Sequence, residues 1–537
     1  MKNQKAFSLI LAFIMIFTFI LAGCGSNNNT SDAITRNVES TVQKLEVTKT
    51  EASWNTNEKR KIVFSTINNY YTTALKQIAK DYTELHPETE VEIEIIADNE
   101  TYRQNFTTKI AADKKTAPDI VHTNLFNLDQ GELINKGWLA PLDDLLNEEN
   151  PYNGNKTVKG AINPDYLTLA VSSAGKVSYL PFDLVGVAVF YNQTIFDKAG
   201  LKAPSTYEEW IDVCSKLKQA GYESPVGATN FNNWIVTSLA DWAFRKNITD
   251  LISLPGDGRF NEATMQANVN AKFDPNDAMF DKQVTFDPEK VVVSMKNNGL
   301  NNAIVEKIWT TYKNIAQFFP EGWTNPDDGQ TYSQFMAQKT PMFVYGSWQV
   351  GTILSDMNKL SEDRKFKWGT FKFPKFEAND PNFQGEPRSL LVAGHQIGIA
   401  QKDDPEQYYR AADFLKYMYS PEIASRVYDI TIKSGEYVQG PSLISGVVLS
   451  DEINSYLDGF NVAGNMRSEY ADLSGSAHLD ADKPLRNDAI LKFVSGKSDW
   501  AAFVKQLDKF VQNVVNDRMK KFGYDLDPKT ADTAPSK

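Results

Sequence analysis

Between residues 61 and 122, short strand patterns alternate with helical patterns, and this order constrains the fold more than any other feature. Apolar, β-branched runs at 61–67, 91–96 and 118–122 predict strands, and 3.6-residue periodicity at 72–85 and 102–112 predicts helices. The order strand, helix, strand, helix, strand is typical of a parallel sheet with crossover helices. We therefore expect an α/β protein.

Polar residues follow two of these strands. Asn68, Asn69 and Tyr70 come after the first strand, and Thr123 and Asn124 come after the third. Ligands of open α/β sheets bind at the carboxyl ends of the strands. This placement makes Asn69, Tyr70 and Asn124 candidate ligand-binding residues.

The rest of the chain continues the α/β pattern at longer intervals. Residues 177–192 predict two strands on either side of Pro181-Phe182-Asp183, and residues 207–220 predict an amphipathic helix. Residues 250–330 are rich in Gly, Pro and Asp turns, which indicates an elaboration of the fold. Further extended segments and helices are predicted, in chain order, at 334–348, 367–374, 390–400, 411–418, 489–493 and 499–522.

The first 24 residues have the pattern of an export signal. Lys2 and Lys5 precede an apolar run from residue 6 to residue 20 that is too short to span a bilayer comfortably. Leu21-Ala22-Gly23-Cys24 follows, and this tetrapeptide resembles the bacterial lipobox, in which the cysteine is lipidated. We expect residues 1–23 to be a signal peptide, Cys24 to carry the lipid anchor, and residues 24–59 to form the lipidated N-terminus and a flexible tether.

Composition excludes two classes of protein. The chain has 68 acidic and 56 basic residues, a formal net charge of −12, and such a surface repels phosphate backbones. We therefore expect no nucleic-acid partner. Only two cysteines occur, which excludes a disulfide framework, and we expect Cys214 to be a small buried residue of a helix.

The sequence lacks the motifs of common catalytic and metal sites. Gly496-Lys497-Ser498 resembles the end of a phosphate-binding loop, but the glycine required five residues earlier is Leu491. The four histidines are scattered, with no His-Glu-x-x-His motif and no paired cysteines to bind zinc. No Gly-x-Ser-x-Gly nucleophile elbow occurs. We expect a protein without a catalytic site, a cofactor or a metal.

Several segments together resemble one family, the carbohydrate type of bacterial extracellular solute-binding proteins (family 1), which serve ABC sugar importers. YLPFDLVGVAVFYNQTIFDKAGLKAPSTYEEW at 179–210 is the most specific block. The family's strand that ends in Gly-x-Trp is similar to QKTPMFVYGSWQV at 338–350. Further similar blocks are NKGWLAPLDDLL at 135–146, VAGHQIGIA at 392–400 and AADFLKYMYSPEIA at 411–424.

The resemblance implies a two-lobe, periplasmic-binding-protein-like α/β fold with a ligand cleft between lobes that are joined by crossing strands. The crossings are expected near Asp183, Phe373 and Ile432. Lobe one would then contain residues 60–183 and 376–432. Lobe two would contain 184–375 and 433–526, with an insertion at 250–330 and a tail at 527–537.

Sugars present apolar C–H faces and a rim of hydroxyl groups, so their sites combine flat aromatic rings with polar groups. Trp348 stands where the resemblance places a stacking tryptophan, and Asp183 stands at a crossing strand. The full set of predicted ligand-binding residues is Trp348, Trp234, Asp183, Asn69, Tyr70, Asn124, Arg388, His395 and Tyr437.

The function implied by the resemblance is capture of a carbohydrate, specifically an oligosaccharide, by hinge closure. The expected partners are the ligand, the permease subunits of an ABC importer, and the outer face of the cell membrane through Cys24. We expect a monomer. Two alternatives stay open from the sequence: a surface glycosidase or polysaccharide lyase, and a ligand-sensing lipoprotein that reports to a membrane kinase.

Overall fold

A computed structural model describes residues 54–67, 70–126, 128–167, 170–172, 174–461 and 464–524. The predicted signal peptide, Cys24, most of the tether, Asn69 and the tail at 527–537 lie outside the described residues. Within the described ranges, no helix combines the length and the apolar character needed to cross a membrane.

The first sheet has five strands. Arg60–Ile67 pairs in parallel with Thr89–Ile96 on one side and with Ile120–His122 on the other. The short strand Gln396–Ile399 pairs antiparallel with Ile120–His122, and Leu180–Pro181 completes the edge. The parallel sheet predicted from the first three strands is confirmed, and antiparallel strands from distant parts of the chain extend it.

Local sequence explains the two crossover helices of this sheet. Thr72–Leu85 buries Leu75, Ile78 and Tyr82 at helical spacing, and it ends at His86-Pro87. Asn99–Ala112 begins at Asp98, whose side chain accepts a hydrogen bond from the Thr101 N–H at 2.7 Å.

The second sheet is built around the long strand Leu184–Asn192. Met342–Gly346 and Trp368–Phe371 flank this strand, both antiparallel to it, and Val226–Gly227 pairs in parallel with Met342–Gly346. Leu391–Ala393 also pairs antiparallel with the first residues of the long strand. All but two of the nine residues of Leu184–Asn192 are buried, as expected for a central strand with both faces covered.

Two neighbouring connections lead the chain from the first sheet to the second and back, and a third passage follows between Ile444, which bridges to Ile162, and Tyr470 in the core of the second sheet. Phe182 and Asp183 connect the first sheet to Leu184–Asn192, and Gly394 and His395 connect Leu391–Ala393 back to the first sheet. The two connections are hydrogen-bonded to each other, from the Phe182 N–H to the His395 carbonyl at 3.0 Å and from the Gly394 N–H to the Asp183 carbonyl at 2.9 Å. Two sheets joined in this way form the predicted two-lobe fold.

Helices cover both sheets, and a small two-stranded ladder pairs Glu149–Asn150 with Lys156–Thr157. In chain order, the further α-helices are Gln130–Asn135, Asp143–Asn147, Pro164–Leu167, Gln193–Lys198, Tyr207–Gln219, Trp234–Phe244, Gln266–Val269, Pro288–Asn297, Ala303–Ala316, Asp328–Met336, Gln349–Lys359, Pro405–Met418, Pro421–Lys433, Asp451–Leu457, Ser468–Asp472, Lys483–Val494 and Trp500–Phe522.

The core around the second sheet includes the segment predicted to be an elaboration. Helices Pro288–Asn297 and Ala303–Ala316 bury residues such as Val292 and Trp309 in this core. Cys214 is fully buried in the helix Tyr207–Gln219, as predicted.

The packing around Phe373 and Ile432 indicates different lobe limits from those predicted. Phe376 and Phe383 pack in the core of the second sheet. Ile432 lies inside the helix Pro421–Lys433 rather than on a crossing strand. We therefore propose that lobe two extends to about Ala393 and that the chain returns to lobe one at Gly394.

Candidate functional site

The Gly346-Ser347-Trp348 turn places an indole ring at the end of the second sheet. The strand Met342–Gly346 ends here, and Trp348 begins the helix Gln349–Lys359. A Cβ atom added to Gly346 would overlap the Trp348 ring, so the indole lies directly on the Gly346 backbone. The Gly-x-Trp spacing therefore has a packing reason: only glycine leaves room for this ring position.

Trp348 belongs to a group of three half-buried rings, which we call the aromatic cluster: Phe231, Tyr345 and Trp348. Ring centroids are 5.5 Å apart for Phe231 and Trp348, 5.7 Å for Tyr345 and Trp348, and 4.7 Å for Phe231 and Tyr345. All three pairs meet edge to face, a favourable geometry for aromatic rings. The cluster offers an apolar surface that is partly open to solvent.

Tyr70 and Tyr437 form a second aromatic group. Their backbones form a parallel bridge, and their rings meet edge to face with centroids 6.0 Å apart. Burial raises the pKa of Tyr70 to about 12, and the charges of Asp183, Tyr437 and Tyr345 add to this effect. Tyr345 is thus close enough to Tyr70 to act on it, although Tyr345 belongs to the second sheet and Tyr70 follows a strand of the first.

The segment that carries Tyr437 contacts both lobes. Glu436 accepts hydrogen bonds from the N–H of Thr73 at 2.9 Å and from its hydroxyl at 2.5 Å, at the start of the helix Thr72–Leu85. A Cβ added to Gly351 would lie only 2.5 Å from Tyr437 Cα, so this backbone lies directly on the helix Gln349–Lys359. The ring of Tyr437 is therefore fixed at the junction of the lobes.

Between the two sheets, Asp183 organises a buried hydrogen-bond network. One carboxylate oxygen accepts from the Tyr71 hydroxyl at 2.7 Å and lies 2.9 Å from His395 Nδ1, and the other accepts from the His395 N–H at 2.7 Å. This arrangement assigns the His395 proton to Nδ1, because a carboxylate can only accept. Nε2 is then an acceptor, and it has no partner among the described residues.

His122 stacks on His395, with ring centroids 4.4 Å apart and an interplanar angle of 3°. Its Nε2 lies 3.1 Å from the Gly394 carbonyl oxygen. Burial holds the pKa of His122 well below its usual value, and the nearby His395 lowers it further. His122 is therefore neutral in the folded protein at neutral pH.

The free energy of unfolding is expected to decrease as the pH is lowered below 6.5, because of His122. The unfolded chain has an ordinary histidine there and binds a proton in this range, whereas the folded protein does not, so protonation favours unfolding. The contribution approaches about 1.4 kcal/mol per pH unit. Thermal unfolding of the wild type and of His122→Gln between pH 5 and 8 measures it. An equally steep pH dependence in the variant would contradict this assignment.

Tyr71 is a site residue that the sequence did not reveal. It is buried, it precedes the helix Thr72–Leu85, and its φ of 55° lies in the left-handed region, where a tyrosine is strained. The ring contacts His395, Phe182 and Tyr428 edge to face. With this backbone conformation the Tyr71 hydroxyl donates to Asp183. In the sequence, only the neighbouring Tyr70, a predicted site residue, pointed to this turn.

The structure brings some predicted residues together and separates others. Tyr70, His395 and Tyr437 lie together at the lobe junction, with ring centroids 5.9 Å apart for Tyr70 and His395 and 6.0 Å apart for Tyr70 and Tyr437. Asn124 is exposed and donates to the Gly394 carbonyl oxygen at 2.9 Å.

Two predicted residues lie differently from expectation. Trp234 packs against the core of the second sheet and has no ring contact with the aromatic cluster among the described residues. Phe231, three residues earlier, occupies that position instead. Asp183 is fully buried and both of its oxygens accept hydrogen bonds, so we propose that it positions His395 rather than contacting a ligand directly.

The surroundings of Arg388 also differ from those expected of a ligand-binding residue. It is fully buried, and its five N–H groups donate to Asp241, to Asp281 and to the Ala278 carbonyl. The two carboxylates raise the pKa of Arg388 against the opposing effect of burial. Because no donor is left for a ligand in this arrangement, we propose that Arg388 stabilises the second lobe rather than binding a solute.

Two lobes joined at a hinge, with aromatic side chains at their junction, define a solute-binding protein. The family model described as bacterial extracellular solute-binding protein matches residues 68–425. The chain belongs to this family, which confirms the predicted resemblance and an extracytoplasmic location.

Curated relatives cover most of the chain. The multiple sugar-binding protein of Streptococcus mutans serotype c is 21% identical over 389 residues, which cover 71% of this chain and 76% of the relative. The sn-glycerol-3-phosphate-binding periplasmic protein of Escherichia coli K12 is 22% identical over 358 residues, which cover 63% of this chain and 69% of the relative. These relatives are binding proteins, and the chain is likewise a binding protein rather than an enzyme. The glycosidase and lyase alternative is therefore wrong.

Solved structures support the same fold. The apo form of RafE from Streptococcus pneumoniae superimposes with a TM-score of 0.55 at 18% identity, covering 85% of this chain and 98% of that chain. A probable secreted solute-binding lipoprotein from Streptomyces coelicolor superimposes with a TM-score of 0.52 at 13% identity, covering 84% of this chain and 98% of that chain. At such identities the likeness concerns the fold.

Proposed function

We propose that the protein binds a neutral carbohydrate, specifically an oligosaccharide, between its lobes. The aromatic cluster of Phe231, Tyr345 and Trp348 carries this proposal, because half-exposed rings stack on the C–H faces of sugars. Tyr70 and Tyr437 supply hydroxyl groups that can donate to and accept from sugar hydroxyls. The sugar-binding name of the Streptococcus mutans relative agrees with this choice.

Charges around the aromatic cluster favour a neutral solute over a phosphorylated one. The Asp328 carboxylate is close enough to help raise the pKa of Tyr345, after burial, to about 12. Asp356 accepts from the Tyr332 hydroxyl at 2.7 Å and pairs with Lys359 at 2.9 Å. Lys359, which lies near enough to Tyr437 to be affected by its charge, is thus already paired. A phosphate group would meet carboxylates here, whereas sugar hydroxyls can donate to them.

The proposed mechanism is hinge closure followed by delivery to the permease of an ABC importer. A ligand that contacts both lobes binds the closed state more tightly and shifts the population toward it. The closed monomer then docks on the permease. Loss of uptake of the identified sugar on deletion of the gene, with uptake restored by the wild-type gene, distinguishes import from sensing through a membrane kinase.

The binding experiment is thermal unfolding of residues 25–537 with a panel of mono- and oligosaccharides and with sn-glycerol 3-phosphate. A ligand at 100 times its dissociation constant is expected to stabilise the protein by about 2.7 kcal/mol. Stabilisation by a neutral oligosaccharide, recovered uncleaved by chromatography, supports the proposal. Stabilisation by sn-glycerol 3-phosphate alone would contradict it.

We further propose that Cys24 is diacylated and holds the protein on the outer face of the cell membrane. The Leu-Ala-Gly-Cys sequence at 21–24 supports this anchor. Cys24→Ser is expected to move the protein from the membrane fraction to the culture medium, because the lipid chains supply the membrane affinity. Immunoblots of both fractions measure this, with Cys214→Ser as the control. Retention of the Cys24 variant in the membrane would contradict it.

A further inference from the structure

A second crevice lies in the second lobe, beside the segment that carries Phe231 of the aromatic cluster. It has a volume of about 770 Å³ and is bounded by residues 229–233, residues 323–326 and one face of the helix Lys483–Val494. Lys483, Arg486, Asn487 and Ile490 line it at spacings of three and four residues, which bring their side chains to the same side of the helix. We call this space the Arg486 crevice.

Arg486 is a buried cation without a counter-charge. Its exposed fraction is 4%, and no hydrogen bond or ion pair is found for its guanidinium within the described part of the chain. Its neighbours include the Trp309 ring, whose centroid is 6.0 Å from the guanidinium carbon. Tyr312 is also nearby, and its buried hydroxyl has no hydrogen-bond partner among the described residues. Burial lowers the pKa of Arg486.

Arg486 lacks the hydrogen-bond acceptors and the opposite charges that surround the buried Arg388. Arg388 is equally buried, but all five of its N–H groups have acceptors and two carboxylates balance its charge. A buried charge is costly unless an opposite charge and hydrogen bonds compensate for it. For Arg486, an external anion in the adjoining crevice would supply the opposite charge and the hydrogen-bond acceptors.

Two further basic groups line the same crevice. Lys483 is exposed, lies one helical turn before Arg486, and makes no ion pair among the described residues. His478 directs Nδ1 to the Ser476 carbonyl oxygen at 3.0 Å, which leaves Nε2 free. Burial and the Arg486 charge lower the pKa of His478. The carboxylates on the crevice are Asp488, which pairs with Lys492 at 2.6 Å, and the exposed Asp480.

We propose that the Arg486 crevice binds an oxyanion, the phosphate, sulfate or carboxylate group of a small solute, with Arg486 as the buried anchor and Lys483 at the mouth. The planar guanidinium fork matches two oxygens of such a group and is the preferred partner for bidentate binding. The side chains of this site are not those of the aromatic cluster, and its existence does not depend on the proposed function.

The test is calorimetric titration of the folded protein with inorganic phosphate, inorganic sulfate and glucuronate, each at constant ionic strength. The wild type is expected to bind at least one of them. Arg486→Met keeps the length of the side chain and removes the charge, and it is expected to weaken binding by at least about 30-fold. Lys483→Ala is expected to weaken it by about 2- to 5-fold.

Lys497→Ala is the matched control, because Lys497 is an exposed lysine just beyond the other end of the same helix. It is expected to bind the same anion with unchanged affinity. Thermal unfolding with and without the anion gives a second readout: the anion raises the melting temperature of the wild type but not that of Arg486→Met.

Three results would overturn the proposal. The first is no binding of any of the three anions by the wild type. The second is equal affinity in Arg486→Met. If that variant does not fold, unchanged affinity in Lys483→Ala decides against the site. None of these results bears on sugar binding, which the oligosaccharide panel tests separately.

Discussion

Replacement of Trp348 by alanine is expected to lower the affinity for the oligosaccharide by at least about 30-fold, because a central aromatic contact typically contributes 2 kcal/mol or more to binding. The indole is half-buried, meets Phe231 and Tyr345 edge to face, and lies on the Gly346 backbone. Loss of the ring removes a stacking surface and leaves the sheet in place. Calorimetric titration of the variant with the sugar identified by the panel measures the effect.

Two further variants separate ring position from ring loss. Gly346→Ala keeps the indole but fills the space in which it lies, so it should also weaken binding. Trp500→Ala removes another half-buried tryptophan of the same lobe, whose recorded partners are Asn301, Phe493 and Phe503, and should leave affinity within about twofold. Unchanged affinity in Trp348→Ala would exclude the aromatic cluster as the sugar site.

Replacement of Arg388 by alanine is expected to reduce the free energy of unfolding by about 3–5 kcal/mol, because it leaves two buried carboxylates without a counter-ion. Asp241 and Asp281 are almost completely buried, and their oxygens lie 2.6 and 2.7 Å from the Arg388 guanidinium. Removal of the guanidinium therefore leaves two like charges in the core of the second lobe. The shift of the urea unfolding midpoint, followed by intrinsic fluorescence, measures the loss.

Arg103→Ala is the control for this prediction. Arg103 pairs with Glu100 on the exposed face of the helix Asn99–Ala112, one turn apart. Exposed pairs of this kind contribute at most about 1 kcal/mol. If the two variants were destabilised equally, the Arg388 network would have no special stabilising role, and a ligand contact for Arg388 would need to be reconsidered.

The first lobe could be predicted well because its signals are local. The helix predicted at 72–85 has those limits in the structure, and the strand predicted at 61–67 begins one residue earlier. Helical periodicity, a proline stop and β-branched runs act over a few residues, so they can be interpreted without tertiary contacts. The antiparallel strand Gln396–Ile399 pairs with Ile120–His122 from about 275 positions away along the chain, and its place depended on the family resemblance.

Side-chain roles were harder to predict where they depend on distant partners. Trp234 was predicted as a ligand-binding residue and Phe231 was not, because the side that each ring takes depends on the exact start of the helix Trp234–Phe244. Arg388 could not be assigned, because its role is set by Asp241 and Asp281, more than a hundred positions earlier. Buried ion pairs between remote segments leave no pattern in the chain.

The paired connections at Phe182–Asp183 and Gly394–His395 have a mechanical consequence. Because the two are hydrogen-bonded side by side, relative rotation of the lobes has its axis close to them, and Asp183 and His395 move little during opening. Tyr70 lies close to this axis, because its ring centroid is 5.9 Å from that of His395. A sugar held only there would exert little torque on the lobes, whereas a longer sugar that also contacts groups farther from the axis would convert its length into closure. Chain length of the sugar would thus be selected by leverage as well as by contact.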